Sequence, residues 1–249
     1  MTQYLTGRPP RVLAHRGLAV AAPENSMLAF VHAMDAGATY LETDVHATAD
    51  GVAVLAHDAT LDRVAGTDVA IGTTLRKDLL GVDLGHGETV PELREALLAL
   101  PDARWNIDLK SDAAVVPAVR AIVEARAVDR VLLTSFSERR RRRARALLPE
   151  VATSASQGIV LRALAAQRAG LRALLARVLS DVVAVQVPRR AAGVELVTAR
   201  SVAALHAAGV EVHVWTVNEA AEMRELLDLG VDGLVTDRCD VAVPLVAAR

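Results

Sequence analysis

The sequence predicts an α/β protein, a (β/α)8 TIM barrel with a longer loop after its second strand. Three observations lead to this prediction. Short apolar runs of strand length alternate eight times with helical patterns. The length of 249 residues suits one large barrel, and no change in composition marks a linker between two units. We therefore expect a single domain over residues 1–249.

Composition and charge restrict the kind of protein. Apolar residues make up 52% of the chain and aromatic residues only 2%, so Ala, Val and Leu must fill the core. A formal net charge of -2 gives no overall field that would attract nucleic acid or an anionic membrane. A single cysteine, Cys239, excludes an internal disulfide. Since the sequence shows no signal-peptide pattern and no apolar run of membrane-spanning length, we expect a cytoplasmic protein with no transmembrane segment.

The first unit is a strand followed by a helix. "RVLAHRG" (11–17) is a short apolar run of strand length, and "NSMLAFVHAMDAG" (25–37) has a helical pattern. Asn25 is a plausible N-cap for this helix, and Gly37 is a plausible stop.

The second unit contains the longest connection in the chain. "TYLETDVHA" (39–47) alternates apolar and polar residues as a half-buried strand does, and its helix is predicted over 89–101. The connection from about His57 to Val90 is far longer than the 2 to 6 residues typical of such a loop. We expect it to fold over the mouth of the barrel as part of the site.

Six further units repeat the order of strand and then helix. Their predicted ranges are, in order, 104–110 and 114–128, 130–136 and 137–149, 151–156 and 158–179, 182–188 and 198–209, 210–217 and 218–230, and 231–237 and 241–249. Active sites of such barrels form at the C-terminal ends of the strands. Nearly all the charge at these ends belongs to the first three units, where we expect the site.

Three carboxylates are predicted to meet at this end. Glu42 and Asp44 are two residues apart on one strand, so they point the same way, and Asp108 would lie a strand spacing of roughly 5 Å away. Three like charges in a low-dielectric mouth are unfavourable without a cation, and an all-oxygen set fits Mg²⁺ or Ca²⁺ better than zinc. The alternative is that Glu42 and Asp44 are solvated residues on a frayed strand end, where they pair with Arg16 and Lys110.

Cations next to acids suggest a metal on one side and an anionic group on the other. Phosphate fits because Arg16 offers a forked set of donors and Lys110 a point charge. His15 and His57 can both reach the mouth, where two imidazoles can take and give a proton. General acid or base catalysis contributes only about 10² to 10⁴ in rate, so metal and fixed positive charge must supply much of the remainder.

Several segments resemble the glycerophosphodiester phosphodiesterase family. They are "AHRG" (14–17), the stretch 23–63 that begins "PENS", "TVPEL" (89–93), "NIDLK" (106–110) and the stretch 212–237 that ends "DGLVTD". This ordered set covers the chain nearly end to end and is more specific than any one motif. The resemblance implies a barrel that uses a divalent cation to split glycerophosphodiesters into an alcohol and glycerol 3-phosphate.

The resemblance also implies residue roles. The acid/base pair would be His15 and His57, the metal ligands Glu42, Asp44 and Asp108, and the phosphate contacts Arg16 and Lys110. Asp108 stands where the family more often has Glu. We expect Gln186 and Trp215 to form pocket walls and donors, with plain barrel packing as the alternative for Trp215. Glu24 and Asn25 are expected to support the site, with a helix-dipole role as the alternative for Glu24. His46 is expected at the rim.

We therefore expect metal-dependent hydrolysis of a small-molecule glycerophosphodiester, with one divalent cation, Mg²⁺ or Ca²⁺. The attacking group is either water or a neighbouring glycerol hydroxyl that forms a cyclic phosphate. Two alternatives stay open: a phospholipase-like barrel acting on intact lipid, and a catalytically silent barrel that binds phosphate esters. The Arg-rich stretch 138–148 is interpreted as a solvated helix face rather than a nucleic-acid site. The Leu-rich, basic stretch 158–179 is interpreted as a packing helix, with weak lipid-surface contact as the alternative.

Overall fold

The structure, a computed structural model, describes residues 3–249. It confirms the predicted barrel, in which parallel strands alternate with helices. We number the barrel strands and the main helices in chain order. The strands are β1 Arg11–His15, β2 Tyr40–Ala47, β3 Arg104–Leu109, β4 Val131–Thr134, β5 Ala152–Thr153, β6 Ala184–Pro188, β7 Glu211–Trp215 and β8 Gly233–Thr236.

Helices follow the strands. They are α1 Met27–Asp35, α2 Leu93–Ala99, α3 Val115–Glu124, α4 Glu138–Leu147, α5 Gln157–Arg168, α6 Arg172–Leu179, α7 Ala199–Ala207, α8 Ala220–Asp228 and α9 Cys239–Ala247. Short elements in the connections are the strands Ala53–Leu55, Arg190–Ala191 and Val194–Glu195, the helices Asp62–Ala65 and Arg76–Leu79, and 3-10 turns at Gln3–Leu5, Ile71–Thr73 and Val128–Arg130. None of the helices within residues 3–249 has the length and apolarity to cross a bilayer.

The sheet closes between β5 and β6, the two strands at the ends of its pairing order. Neighbouring strands run in the order β5, β4, β3, β2, β1, β8, β7, β6. Between β5 and β6, the Val183 N–H donates to the Thr153 carbonyl and the Ala155 N–H to the Ala184 carbonyl, both at 2.9 Å. Because these bonds join the two ends, the C-terminal ends of all eight strands surround one mouth.

The core has an outer and an inner part. The larger apolar cluster lies between strands and helices, where the rings of Phe30 and Trp105 are 4.9 Å apart. A smaller cluster with Leu13 and Tyr40 fills the barrel interior. Since side chains alternate along a strand, Tyr40 shares its face with Glu42 and Asp44, so the interior becomes polar towards the mouth.

Two helix predictions differ from the structure. The single helix expected over 158–179 is wrong, because Gly170, with φ of +70°, separates α5 from α6. Asn25 is not the N-cap of α1. Ser26 caps that helix by accepting from the Ala29 N–H at 3.2 Å, which leaves the Asn25 side chain free to contact β2.

The Arg-rich helix α4 is solvated only in part. Arg139 and Arg142 are exposed, as the sequence predicted. Arg141 is fully buried, and its guanidinium lies 2.8 Å from Glu138 and 2.9 Å from Asp181. The prediction of a wholly solvated face is therefore wrong for Arg141, which ties α4 to the loop before β6.

The long connection after β2 is a small folded unit. The strand Ala53–Leu55 pairs antiparallel with the end of β2. Apolar side chains of the connection, including Leu61, Ile71 and Leu79, form a separate cluster. His57 alone of residues 57–90 lines the main cavity. The segment thus supplies one predicted site residue, His57. Its other residues do not line the cavity, so the prediction that the whole connection folds over the mouth is wrong for them.

Candidate active site

The turn after β1 places two predicted residues at the mouth. A Cβ on Gly17 would lie 2.7 Å from the Ala29 backbone, and Gly17 has φ of +84°, so this tight approach to α1 requires glycine. Arg16 also has a positive φ, +59°. Its N–H donates to the Glu42 carbonyl at 3.0 Å and contacts the Glu42 carboxylate at 3.1 Å, which fixes the turn against β2.

The three predicted carboxylates meet on β2 and β3. Register pairs Asp44 with Asp108, and the exposed fractions of Glu42, Asp44 and Asp108 are 6%, 1% and 6%. Lys110 Nζ lies 2.8 Å from Asp44 Oδ1 and 2.7 Å from Asp108 Oδ2. The pairing with cations is as the alternative interpretation expected, but the carboxylates lie on a buried strand end rather than a solvated one.

Burial and neighbouring charges together set the pKa values in this cluster. Burial and the nearby Asp44 raise the pKa of the Glu42 carboxyl to about 8. Burial also raises the pKa of Asp108, despite Lys110. For Asp44 the effect of burial is outweighed by Lys110 and Arg16, so its pKa is lowered. Burial acts to lower the pKa of Lys110, but Asp108 and Asp44 outweigh it and raise that pKa to about 12.

The carboxylate oxygens of Glu42, Asp44 and Asp108 are ligands that a divalent cation prefers, but the three groups are not arranged around one common point in this structure. Among residues 3–249, no three His, Cys, Asp or Glu side chains are grouped closely enough to hold a metal, and the Lys110 ammonium bridges two of the carboxylates. Asp108 Oδ1 is buried and has no hydrogen-bond partner in that range. An unpartnered carboxylate oxygen and a carboxyl with a raised pKa both indicate unmet need for positive charge.

Each predicted catalytic histidine is held by an aspartate. His15 Nδ1 lies 2.7 Å from Asp237 Oδ1, and His57 Nδ1 lies 2.7 Å from Asp58 Oδ1. An ionised carboxylate only accepts, so each Nδ1 carries its hydrogen and Nε2 is left to exchange a proton. Burial acts to lower the pKa of His15, but the Asp237 hydrogen bond and Glu42 outweigh it, and that pKa is raised.

His46 is buried against the backbone of His57 rather than exposed at the rim. It is buried, and burial lowers its pKa. Its Nε2 lies 3.2 Å from the His57 carbonyl oxygen, a contact in which the nitrogen must donate. The expectation of a rim residue is wrong, because β2 continues past the mouth and pairs with the strand Ala53–Leu55. His46 therefore supports the backbone that carries His57.

Glu24 and Asn25 contact site residues from behind. Arg16 Nη1 donates to Glu24 Oε1 at 3.0 Å, and Arg16 Nε lies 3.2 Å from Asp44 Oδ2. Arg63 binds the same Glu24 carboxylate. Asn25 Nδ2 donates to Asp44 Oδ2 at 3.2 Å. The Arg16 guanidinium is thus held between two carboxylates, one of which Asn25 also orients.

Nine of the eleven predicted residues line one cavity of about 620 Å³. They are His15, Arg16, Glu42, Asp44, His57, Asp108, Lys110, Gln186 and Trp215. Glu24 and Asn25 border a small neighbouring pocket instead. The cavity therefore combines acids, cations and two imidazoles on the side formed by β1, β2 and β3.

Gln186 has a defined amide orientation. Its Nε2 donates to Asn106 Oδ1 at 3.1 Å and lies 3.2 Å from His213 Nδ1. His213 Nε2 lies 3.1 Å from Glu211. Burial acts to raise the pKa of Glu211, but Arg11 and His213 outweigh it and lower that pKa to about 2, so Glu211 is an acceptor.

Glu211 therefore accepts from His213 Nε2, and the Gln186 amide nitrogen can only donate, so His213 Nδ1 accepts from it. Both amide hydrogens of Gln186 are then used, and Oε1 is left as an acceptor. Gln186 was expected to donate to a ligand, but in this orientation its side chain can only accept from one.

The sequence did not assign roles to Asp58, Asp237, Asn106 and His213. Asp58 directly follows His57, and Asp237 ends the last predicted strand. The sequence positions of both aspartates could therefore have indicated that they lie close to the site. Asn106 and His213 also lie on predicted strands. The bond from Gln186 to Asn106 joins residues 80 positions apart, which spacing along one chain cannot indicate.

Comparison with known proteins identifies the family. Residues 15–241 match the model of the "Glycerophosphoryl diester phosphodiesterase family". A probable glycerophosphodiester phosphodiesterase 2 of Mycobacterium tuberculosis is 46% identical over 239 residues, which cover 95% of this chain and 90% of the relative. A glycerophosphodiester phosphodiesterase of Caldanaerobacter subterraneus is 27% identical and covers 94% of this chain and 97% of the relative.

A solved structure agrees over the whole barrel. An Oleispira antarctica phosphodiesterase, in complex with the product sn-glycerol-3-phosphate, superposes with a TM-score of 0.78 at 25% identity and covers 95% of this chain and 96% of its own. With a family match over most of the chain, a 46% identical relative and the same fold, the chain belongs to the glycerophosphoryl diester phosphodiesterase family.

Proposed function

We propose that the chain hydrolyses glycerophosphodiesters to an alcohol and glycerol 3-phosphate, and that it uses one divalent cation, Mg²⁺ or Ca²⁺. The observation that carries the proposal is the joint lining of one cavity by three buried carboxylates, two aspartate-held histidines, Arg16 and Lys110. Family membership supports the reaction class. The unpartnered Asp108 oxygen and the raised pKa of Glu42 support the cation.

Glu42, Asp44 and Asp108 would hold the cation. When bound, a divalent cation supplies positive charge at the phosphoryl oxygens, where negative charge develops. Arg16 and Lys110 would bind the remaining phosphate oxygens, Arg16 through its fork and Lys110 as a point charge. Glu24 and Asn25 would support these groups, because Glu24 orients Arg16 and Asn25 orients Asp44.

His15 and His57 would move the protons. One imidazole Nε2 takes the proton of the attacking oxygen as that oxygen bonds to phosphorus. The bond from phosphorus to the leaving alcohol oxygen breaks, and the other imidazole gives that oxygen its proton. Asp237 and Asp58 keep the two rings in the required tautomer. If the attacker is the neighbouring glycerol hydroxyl, phosphorus NMR during turnover will detect a cyclic glycerophosphate, which direct attack by water does not form.

Gln186 and Trp215 would bind the organic part of the substrate. Gln186 presents Oε1, which can accept from a glycerol hydroxyl. Trp215 packs edge-on against Phe136, with ring centroids 6.0 Å apart, and forms part of the cavity wall. The substrate is thus a small molecule, and no role for nucleic acid is proposed. Residence in the cytoplasm stays a prediction from the sequence.

The direct test is a panel of glycerophosphodiesters assayed for glycerol 3-phosphate after EDTA treatment and after return of each cation, with His15→Ala as control. We expect no release in EDTA, recovery with Mg²⁺ or Ca²⁺, and a loss of at least about 100-fold in His15→Ala. A folded, cation-loaded protein that releases nothing from any diester would indicate a silent, phosphate-ester-binding barrel instead. Equal release with and without EDTA would contradict the cation.

A further inference from the structure

Half of the cavity wall has no part in the proposed chemistry. Apart from Arg168, the charged residues lie on β1, β2 and β3 or in the segments directly after them, whereas the wall across the mouth comes from the segments after β4, β5 and β6. Its apolar members are Phe136, Val160, Leu161, Leu164, Val194 and Leu196. A glycerophosphodiester of a small polar alcohol would leave this wall facing water.

The rim of this wall is exposed and apolar. The exposed fractions of Phe136, Leu161 and Val194 are 58%, 61% and 40%, and all three line the same cavity as the histidines. Contiguous exposed apolar side chains of this size indicate a binding surface rather than ordinary protein surface. Since the cavity is continuous, whatever covers the wall can be covalently attached to the phosphodiester bound at the polar side.

Charge distinguishes between possible occupants. All the acidic side chains that line the cavity lie on β2 and β3, and the charged residue on the apolar side is Arg168 of α5. A quaternary ammonium head group would meet no acidic partner there and one like charge. An aliphatic chain carries no charge, so it needs no acidic partner and is not repelled by Arg168. It also matches the apolar Val and Leu side chains of the wall.

We infer that the apolar half of the cavity binds a single aliphatic chain carried by the substrate diester. The inference rests on the proposed function and specifies its substrate class. In the net reaction by either route, a water oxygen becomes bonded to phosphorus, the phosphorus–oxygen bond to the alcohol breaks, and the alcohol oxygen receives the proton that the water loses. The chain either esterifies the glycerol, so that an acylglycerol phosphate is formed, or belongs to the alcohol that leaves.

Substrate pairs that differ only in the chain test the inference. The first pair is glycerophosphocholine and its mono-octanoyl derivative, which both release choline. The second pair is the methyl and octyl esters of glycerol 3-phosphate, which both release glycerol 3-phosphate. All are used as monomers, below the concentration at which they aggregate. For at least one pair we expect kcat/KM to be at least about tenfold higher with the chain, because burial of two methylene groups suffices for that factor.

Variants at the rim locate the effect. Two variants, Leu161→Asp and Val194→Asp, each place a charge on the wall. For each variant we expect the ratio of kcat/KM for the chain-bearing substrate to kcat/KM for the chain-free substrate to fall at least about fivefold. Leu171→Asp is the matched control. Leu171 is comparably exposed, at 52%, and does not line the cavity, so its ratio should equal that of the wild type.

The outcomes separate the two proposals. Hydrolysis of the chain-free diesters without any gain from the chain in either pair would overturn the inference and leave the proposed function intact. Failure to hydrolyse any of the four diesters would overturn the proposed function itself. A wild-type oligomer that dissociates in Leu161→Asp with an unchanged ratio would make the wall an interface between copies, and would also overturn the inference.

Discussion

At the scale of single residues, the site consists of reactive groups and the groups that orient them. His15 and His57 each donate through Nδ1 to an aspartate, and the Gln186 amide is held by Asn106 and His213. These partners fix which nitrogen or oxygen faces the cavity, and they require no movement during the reaction.

The Gln186 orientation leads to a kinetic prediction. In the proposed binding mode, Gln186 accepts from a substrate hydroxyl equally before and during the reaction. Gln186→Leu should therefore raise KM about tenfold and leave kcat within about twofold. Gln167→Leu on α5, outside the cavity lining, is the control. A fall in kcat at unchanged KM would show that Gln186 does not act as a simple binding group.

The sequence predicted the residues that line the cavity better than the hydrogen-bond partners of those residues. Glu42 and Asp44 follow from strand alternation, and His15 with Arg16 from the end of an apolar run. The bond between His15 and Asp237 joins residues 222 positions apart. Such a contact depends on the pairing of β1 with β8, which no local pattern contains.

At the scale of elements, the turn from β1 to α1 is the tightest constraint on the site. Gly17 lies against Ala29, and Arg16 in the same turn reaches both Glu24 and Asp44. A side chain at position 17 would push the turn away from α1. Because Arg16 is placed by this turn, the packing of Gly17 would be coupled to the proposed phosphate binding by Arg16.

Glycine substitutions test this coupling. Gly17→Ala should lower the free energy of unfolding by about 3 kcal/mol, from left-handed backbone strain and from the clash with Ala29, and should lower kcat/KM at least about tenfold. Gly66→Ala is the control, since Gly66 has φ of +64° but no atom within 4 Å of an added Cβ. It should lose only about 1 kcal/mol, with activity unchanged. Equal losses in denaturant unfolding of the two variants would contradict the close-packing account.

Strands were predicted more accurately than their connections. All eight barrel strands lie within predicted ranges, because buried parallel strands read as apolar runs. β5 is reduced to Ala152–Thr153, and the connection after β2 contains elements that its mixed composition did not indicate. The break at Gly170 was missed because apolar periodicity continues across it.

At the scale of the whole molecule, the buried carboxylates at the mouth make folding stability depend on pH. The pKa of Glu42, about 8 in the folded chain against an ordinary value of 4.5, means that folding opposes ionisation of this carboxyl. Its unfavourable contribution is absent below about pH 4.5, grows as the pH rises to about 8, and is complete above that.

Stability without cation should therefore improve when this charge is removed. In EDTA at pH 8.5, Glu42→Gln should raise Tm by at least about 3 °C, and the gain should vanish at pH 4.5. Gln can still accept from the Arg16 N–H, so the turn is kept. Added Mg²⁺ or Ca²⁺ should raise the Tm of the wild type and not that of the variant. A Tm gain for Glu42→Gln that does not depend on pH would contradict the protonation account.

The most direct measurement is isothermal titration calorimetry of Mg²⁺ and Ca²⁺ into metal-free protein, because the account depends on the three carboxylates sharing one ion. We predict one site per chain for at least one cation, a loss of affinity of at least about tenfold in Asp44→Asn and in Asp108→Asn, and no change in Asp228→Asn, whose carboxylate is exposed on α8. A wild-type protein that binds neither ion, or Asp44→Asn and Asp108→Asn variants that bind it as the wild type does, would contradict the account.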